Sequence, residues 1–522
     1  MKRSKIQDPR SRKDPRSKIQ IEIDRRCRDL GSWNLLLPWI LDLGSWIFFR
    51  RALSPRVTVR SERGERGSVL IIVLWIAFGL VSLALYFAGS MSYELRASEN
   101  RVSAVMADTA IDGAARYLTS VLATLGTNGI MPDPTTYSNA AVAVGDAHFW
   151  LLGRDTNNPV GPGRLSFGLV DEASKLNLNK ASSNQLIWLP RMTTELTSGI
   201  LDWRSTNGPG TTEASYEMSQ PAYQCKGAPF ETVGELRLVY GANMDLLVGE
   251  DANRNGVLDA NENDENQNGM LDPGILDYVT VYSCEPNTNN SSLGMVNISS
   301  LSSSSTNGKA LSSLLQTNFG TARATQILRA LGLQSAASSK PTTNSSSGTP
   351  PGNAATPPVK FAGPLDFYGK SGMSSSEFAL IFTNLTMTTN SYIQGRVNVN
   401  TASAPVLACL LGGDQGAAQQ MVNYRQANPN NLTSIAWVID ALGQTYASDL
   451  AALKAGDYIT TRSYQFTADI AALGPHGRGY RRVRFVFDTS SGVPQIVYRQ
   501  DQSHLGWALG KEIRQTWILA KQ

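Results

Sequence analysis

From Gly67 to Tyr93 the chain runs 27 positions without a charged residue, and this stretch constrains everything around it. It begins Gly67-Ser68-Val69-Leu70-Ile71-Ile72-Val73-Leu74-Trp75. As a helix rising about 1.5 Å per residue, its apolar part can cross a hydrocarbon core of about 30 Å. Residues 1–67 hold 17 Lys/Arg against 8 Asp/Glu, whereas the remainder holds 30 against 35. The positive-inside rule therefore puts the N-terminus in the cytoplasm and everything after about Ser90 across the membrane, in a single pass. A secretory signal would show an apolar core of about 7–15 residues before a small-residue cleavage site. The run here is longer, and Ala88-Gly89-Ser90 ends it only weakly.

Residues 1–67 read as a basic leader rather than a folded domain. Ser4-Lys5-Ile6-Gln7 recurs as Ser17-Lys18-Ile19-Gln20, and Asp29-Leu30-Gly31-Ser32-Trp33 recurs as Asp42-Leu43-Gly44-Ser45-Trp46. Such duplications fit translated upstream repeats, with the true start nearer Leu53 or Val57; a functional basic arm is the alternative. After Glu94 the helical pattern continues: Val102, Val105, Ala110, Ile111, Ala114, Leu118 and Leu122 recur at steps of three, four and seven. Strand-like runs follow at 141–144, 148–152 and 165–170, and again near 458–466, 482–487 and 495–498.

The Gly67/Ser68 junction resembles a prepilin cleavage site, where a basic leader ends in Gly and the next residues begin a helix serving as anchor and assembly stem. Behind it come, in order, Asp171-Glu172-Ala173-Ser174-Lys175-Leu176-Asn177, Leu201-Asp202-Trp203-Arg204, Phe230-Glu231-Thr232-Val233-Gly234-Glu235-Leu236-Arg237 and Tyr278-Val279-Thr280-Val281. Together these segments resemble the general secretion pathway protein K family, the large minor pseudopilins of type II secretion. The resemblance covers most of residues 64–522 and implies an α+β fold. In it a pilin-like long N-terminal helix packs on an antiparallel sheet, with a large, mostly helical domain inserted between the strands. The expected layout is a transmembrane and stem helix at 68–125, a β head at 126–170 and 461–522, and a helical insertion at 171–335. A flexible linker follows at 336–360, rich in Ser, Thr, Pro and Gly, and 361–460 forms the second part of the insertion.

The resemblance further implies a place at the pseudopilus tip, bound to the I- and J-type minor pseudopilins after processing by prepilin peptidase. Most pseudopilins carry Glu as the fifth mature residue, to meet a neighbour's terminal amine; here the fifth is Ile72. A subunit with nothing above it would lack that partner, and a buried carboxylate needs one.

Asp251, Asn253, Asn255, Gly256, Asp259 and Glu262 match the EF-hand loop at positions 1, 3, 5, 6, 9 and 12, with the Val257 carbonyl at position 7. A hard cation such as Ca²⁺ takes six to eight oxygens, and this spacing wraps them around one point. Thirteen residues on, Asp264, Asn266, Asn268, Met270 (by its carbonyl) and Asp272 repeat the pattern, but Ile275 stands where the last acid belongs. The second site is expected to be weaker or to borrow a carboxylate, Glu262 or Asp277. One or two structural calcium ions are the expected cofactor, ordering the acidic span 251–272; the family resemblance points the same way. Cys225 and Cys284 flank this span and are candidates for a disulfide in an oxidising periplasm.

Three stretches share an Asn-containing strand followed by helices: Leu176-Asn177-Leu178-Asn179, Val296-Asn297-Ile298 and Val397-Asn398-Val399-Asn400. The third resembles a helix-hairpin-helix, the module that competence DNA receptors use to hold phosphate. However, Asp414 occupies the second glycine position of its hairpin, and a carboxylate there repels phosphate. With an acidic exported part as well, no nucleic-acid partner is expected and the modules read as packing units. Three histidines, 148, 476 and 504, lie far apart, and no nucleophile triad or nucleotide loop accompanies them. A non-enzymatic assembly role is expected. A minor pilin of a type IV pilus or DNA-uptake system is the alternative, and a membrane-anchored calcium protein outside any fibre a third class. Mass spectrometry of the purified membrane form is expected to find Ser68 as the mature N-terminus; any other terminus would refute processing at Gly67.

Overall fold

The computed structural model describes residues 67–125, 128–154, 164–208, 210–288, 295–334 and 357–517; the leader and most of the expected linker lie outside them. Helix α1, Gly67–Leu125, is continuous over 59 residues and contains no proline. Among the described residues it is the one helix long and apolar enough to cross a membrane. Its apolar half, up to Ala88, forms one unit, and Gly89–Gln522 forms the other.

In the second unit the helical stripe becomes a core. Ala107, Ala110, Ile111, Ala114, Leu118 and Leu122 are buried against one face of an antiparallel sheet. The strands are β1 (Val142–Val144), β2 (Ala147–Leu152), β3 (Val170–Asp171), β4 (Gln465–Leu473), β5 (Arg481–Asp488) and β6 (Gln495–Asp501). Their order is β1-β2-β4-β5-β6, with β3 also paired to β4. This is the expected α+β class, with a long helix on an antiparallel sheet and a helical insertion between β3 and β4.

Strand β4 departs from the expected boundaries. The residues around 458–461 join the insertion, whereas Gln465–Leu473, with Ala468, Ala471 and Ala472, becomes the central, wholly buried strand. Alanine has weak strand propensity, but this strand is covered on both faces. Ala468 and Ala472 lie under the alanine-rich stripe of α1, and Ala471 packs with Trp150, Ala508 and Leu509 on the other side. Tertiary packing overrides propensity here. The run at 165–170 likewise contributes only Val170 and a single bridge from Phe167 to Leu152. The turn joining β4 to β5 closes tightly on α1. A Cβ at Gly474 would sit 2.3 Å from the Ser103 carbonyl oxygen, and one at Gly479 (φ +68°) 2.4 Å from the Ser103–Ala104 peptide.

The insertion consists of three modules built alike. Each opens on its asparagine and closes on a threonine directly opposite, in a two-residue parallel ladder: Asn177 with Thr280, Asn297 with Thr386, and Asn398 with Thr460. Each Asn Oδ1 accepts the backbone N–H two residues on, at 2.9, 2.9 and 3.0 Å. Each Thr Oγ1 does the same, at 3.1, 3.3 and 3.2 Å. In modules one and three an arginine from the following helix clasps the turn. Arg204 at the end of α2 (Thr194–Arg204) donates to the carbonyls of Leu178 and Ala181, and Arg425 to those of Val399 and Ala402. One continuous apolar core runs through all three modules.

Two adjacent buried carboxylates tie the insertion to the sheet. Glu172 accepts from Thr467 of β4, from Thr280 of module one and from Lys175. Asp171 accepts from Ala173 N–H, from Asn398 and Thr401 of module three, and from Ser463. Burial pushes the Asp171 carboxyl up from 3.8 to about 6 despite these donors. A raised folded value means that the stability carried by the neutral acid is present below about pH 4 and lost as pH rises through 6. Relative to Asp171→Asn, the wild type should lose up to about 3 kcal/mol between pH 4 and pH 7. Melting curves of both proteins across that range check this, and a pH-independent gap would refute it.

Candidate calcium loops

The acidic span sits on a pinch made by two glycines. The short helix Met244–Val248 ends at Gly249 (φ +65°), where a Cβ would lie 2.5 Å from the Gly274 nitrogen. A Cβ on Gly274 would in turn strike the Leu247 carbonyl at 2.4 Å. With both side chains absent, Gly274 N–H reaches Val248 O at 2.8 Å, and residues 250–272 leave and return at one point.

Within the first loop the side-chain oxygens turn inward. Asp251 accepts from Asn255 N–H at 2.9 Å and, with its other oxygen, from Gly256 N–H at 2.8 Å. Asn253 Oδ1 accepts from Asn255 N–H at 3.0 Å and Asn255 Oδ1 from Val257 N–H at 2.9 Å. Asp259 accepts from the amides of Asn253 and Asn255 at 2.7 and 2.9 Å. Glu262 reaches back across the loop to Asn253 N–H (3.1 Å) and Asp259 N–H (2.9 Å). Gly256, at φ +82°, makes the turn. Asp251, Asn253, Asn255, Asp259 and Glu262 are thus brought together, all of them hard oxygen donors.

The second loop repeats these bonds at positions one, three, five and nine. Asp264 accepts from Asn268 and Gly269 N–H at 3.2 and 2.8 Å, Asn266 Oδ1 from Asn268 N–H at 3.0 Å, and Asn268 Oδ1 from Met270 N–H at 2.6 Å. Asp272 accepts from the amides of Asn266 and Asn268 at 2.6 and 3.3 Å. Ile275, at position twelve, is buried in the core. Neither Glu262 nor Asp277 substitutes for it: Glu262 serves the first loop, and Asp277 pairs with Arg154 at 3.2 Å. The residue that bridges this loop is Glu250, whose side chain is fully buried and accepts from Glu265 N–H at 2.8 Å and Asp272 N–H at 2.9 Å. It precedes both loops, so EF-hand spacing gives no hint of it.

Among the described residues no group of three His, Cys, Asp or Glu side chains stands close enough to hold a metal alone. The donor set depends equally on the asparagine and backbone oxygens, which suits calcium rather than a softer ion. Burial pushes the carboxyls of Asp251 and Glu262 upward, opposed at Asp251 by Arg154 with its guanidinium 4.0 Å away. A bound divalent cation would relieve that cost. Arginines from the sheet hold the loop backbone: Arg482 of β5 donates to Asn253 O and Arg254 O, and Arg154, just past β2, to Arg254 O and Asn255 O.

The remaining expected residues are scattered. Gly67 is the first residue of α1. Cys225 and Cys284 are free thiols, so the expected disulfide is absent. Cys225 lies outside any helix or strand, whereas Cys284 begins a strand (Cys284–Pro286), and burial pushes both thiols up. His148 lies on β2 against Trp517, His476 in the β4–β5 turn and His504 in a turn after β6. In module three, Asp414 caps the helix Gln415–Ala427 by accepting from Ala417 N–H at 2.9 Å, taking an amide that a phosphate would need. Saturating calcium at about a hundredfold excess over Kd should stabilise the chain by about 2.7 kcal/mol. The melting temperature should rise accordingly, and Asp251→Ala should remove most of the gain; an unchanged melting temperature would refute the site.

Residues 397–454, which span module three up to its closing strand, match the family described as Type II secretion system (T2SS), protein K. No curated protein sequence matches the chain. A solved structure, the GspK-GspI-GspJ complex from the enterotoxigenic Escherichia coli type 2 secretion system, contains a chain with 8% identity and a TM-score of 0.36. The alignment covers 76% of this chain and 95% of that one. The likeness to protein K of type II secretion systems lies in module three, and the ordered motifs along the rest of the chain resemble the same family.

Proposed function

We propose that this chain is a minor pseudopilin at the tip of a type II secretion pseudopilus, taking part in protein export across the outer membrane. The observation that carries the reading is α1. One unbroken helix supplies an uncharged, membrane-length half and then a half whose alanine-rich stripe is the core of the sheet. Such a subunit is anchored as a single-pass inner-membrane protein before assembly, with its head in the periplasm. After prepilin peptidase releases Ser68 it joins a fibre by the same helix. Ile72 in place of a glutamate supports the uppermost position, because no subunit above would offer it an amine. The work is assembly rather than catalysis, and calcium held by Asp251, Asn253, Asn255, Val257, Asp259 and Glu262, with a second ion at Asp264, Asn266, Asn268, Met270 and Asp272, orders the insertion.

The partners that follow from the family resemblance are the I- and J-type minor pseudopilins. Full-length protein in detergent, mixed with the I- and J-type subunits of its own secretion system, should co-elute with both as one complex. Elution apart from both at micromolar concentration would refute the tip assignment.

A further inference from the structure

A cavity of about 70 Å³ lies where β4, β5 and β6 meet module one. Lys175, Arg237, Arg254 and Arg484 line it, and its single lining carboxylate is Glu172. That carboxylate is already taken by Lys175 at 2.6 Å and by the hydroxyls of Thr280 and Thr467. Two buried donors are left without acceptors, and a third lining cation has no ion-pair partner among the described residues. Arg484 gives one terminal nitrogen to Asp469 at 3.0 Å, but its Nε is buried with no hydrogen-bond partner. The Tyr282 hydroxyl, also on the cavity wall, is buried and equally without one. Arg254 makes no ion pair among the described residues, because the nearby Asp277 goes to Arg154 and Asp469 to Arg482 and Arg484.

Each buried donor without an acceptor costs about 1–3 kcal/mol, and more when it is charged. Water fills such a space only in part, since it brings a donor for each acceptor. A group that accepts everywhere and carries negative charge satisfies both buried donors, pairs with Arg254 and balances the cationic lining. Space for a single water is about 10–15 Å³ on this measure, so the cavity holds about five waters, the size of a tetrahedral oxyanion and far below a nucleotide.

We propose that this cavity binds one small oxyanion of the sulfate or phosphate class, gripped by the guanidinium groups of Arg254 and Arg484 and by the Tyr282 hydroxyl. The anion joins the two bodies that form its walls: Arg484 belongs to β5 of the head, and Arg254 and Tyr282 to the insertion. It differs from the candidate calcium sites in ligand sign and in donor set, although Arg254 stands on the same loop as Asn253 and Asn255.

The test is calorimetric titration of sodium sulfate into full-length protein in detergent, at fixed calcium chloride, against sodium chloride of matched ionic strength. Sulfate also stabilises proteins non-specifically by exclusion, without saturating, so saturable heat and the behaviour of variants are the readout. Wild type should bind one sulfate saturably and give no such isotherm with chloride. Arg254→Gln should weaken binding about tenfold or more, and Tyr282→Phe, which keeps the ring and removes only the hydroxyl, should weaken it several-fold. Identical sulfate and chloride curves would overturn the proposal. So would wild-type affinity in Tyr282→Phe, a variant that leaves the packing unaltered and decides the matter even if Arg254→Gln fails to fold.

Discussion

Arg482 is a fully buried guanidinium in the middle of the head, and it fastens the first acidic loop to the sheet. On one side it forms a bidentate pair with Asp469 of the neighbouring strand, at 2.8 and 2.7 Å. On the other it donates to the carbonyls of Asn253 and Arg254. A buried ion pair is stable only when its remaining donors are answered, and losing one partner typically costs about 3–5 kcal/mol. Burial alone would raise Asp469, but Arg482 and Arg484 hold its carboxyl well below the usual range. The sheet therefore carries a charge pair whose outer donors are satisfied by the backbone of the first acidic loop. Sheet electrostatics and loop docking form one arrangement, and neither is complete without the other.

The same economy appears in the three modules. A short ladder of two residues contributes little by itself, so each end is fastened by side chains: asparagine at the start, threonine at the end and, in modules one and three, arginine across the turn. The asparagine and threonine each hold the backbone two residues on, where a longer sheet would have used strand partners. This lets a module vary in length between its ends. Module one accommodates the whole acidic span between Gly249 and Gly274, and the glycine pinch keeps that excursion from disturbing the core.

How much of this could be read from sequence depended on how local each signal was. The stem was legible because its pattern is carried by neighbours at three- and four-residue steps. The first acidic loop was legible because its donors fall within twelve residues of one another. The module starts were visible as Asn-containing strands, but their pairing with Thr280, Thr386 and Thr460 was not, since each threonine lies dozens of residues downstream of its asparagine. Strand β4 was misplaced because its alanines answer to two packed faces rather than to strand propensity. Glu250, Arg154 and Arg482 were missed for a single reason: each acts on a loop from outside the span that defines its pattern. The Cys225–Cys284 pair is not formed, because flanking a segment in sequence does not bring its two ends together.

Asp171 and Ser463 are hydrogen-bonded although 292 positions separate them, and β3 and β4 pair at the same seam. The central strand of the head is thus synthesised only after the entire insertion. Closing so long an excursion as a floppy coil is entropically unfavourable, but compact modules shorten the effective distance before the strands meet. Completion of the helix-on-sheet core in this way depends on the domain that lies between its strands. A lesion confined to that domain would register as an N-terminal helix left without its sheet.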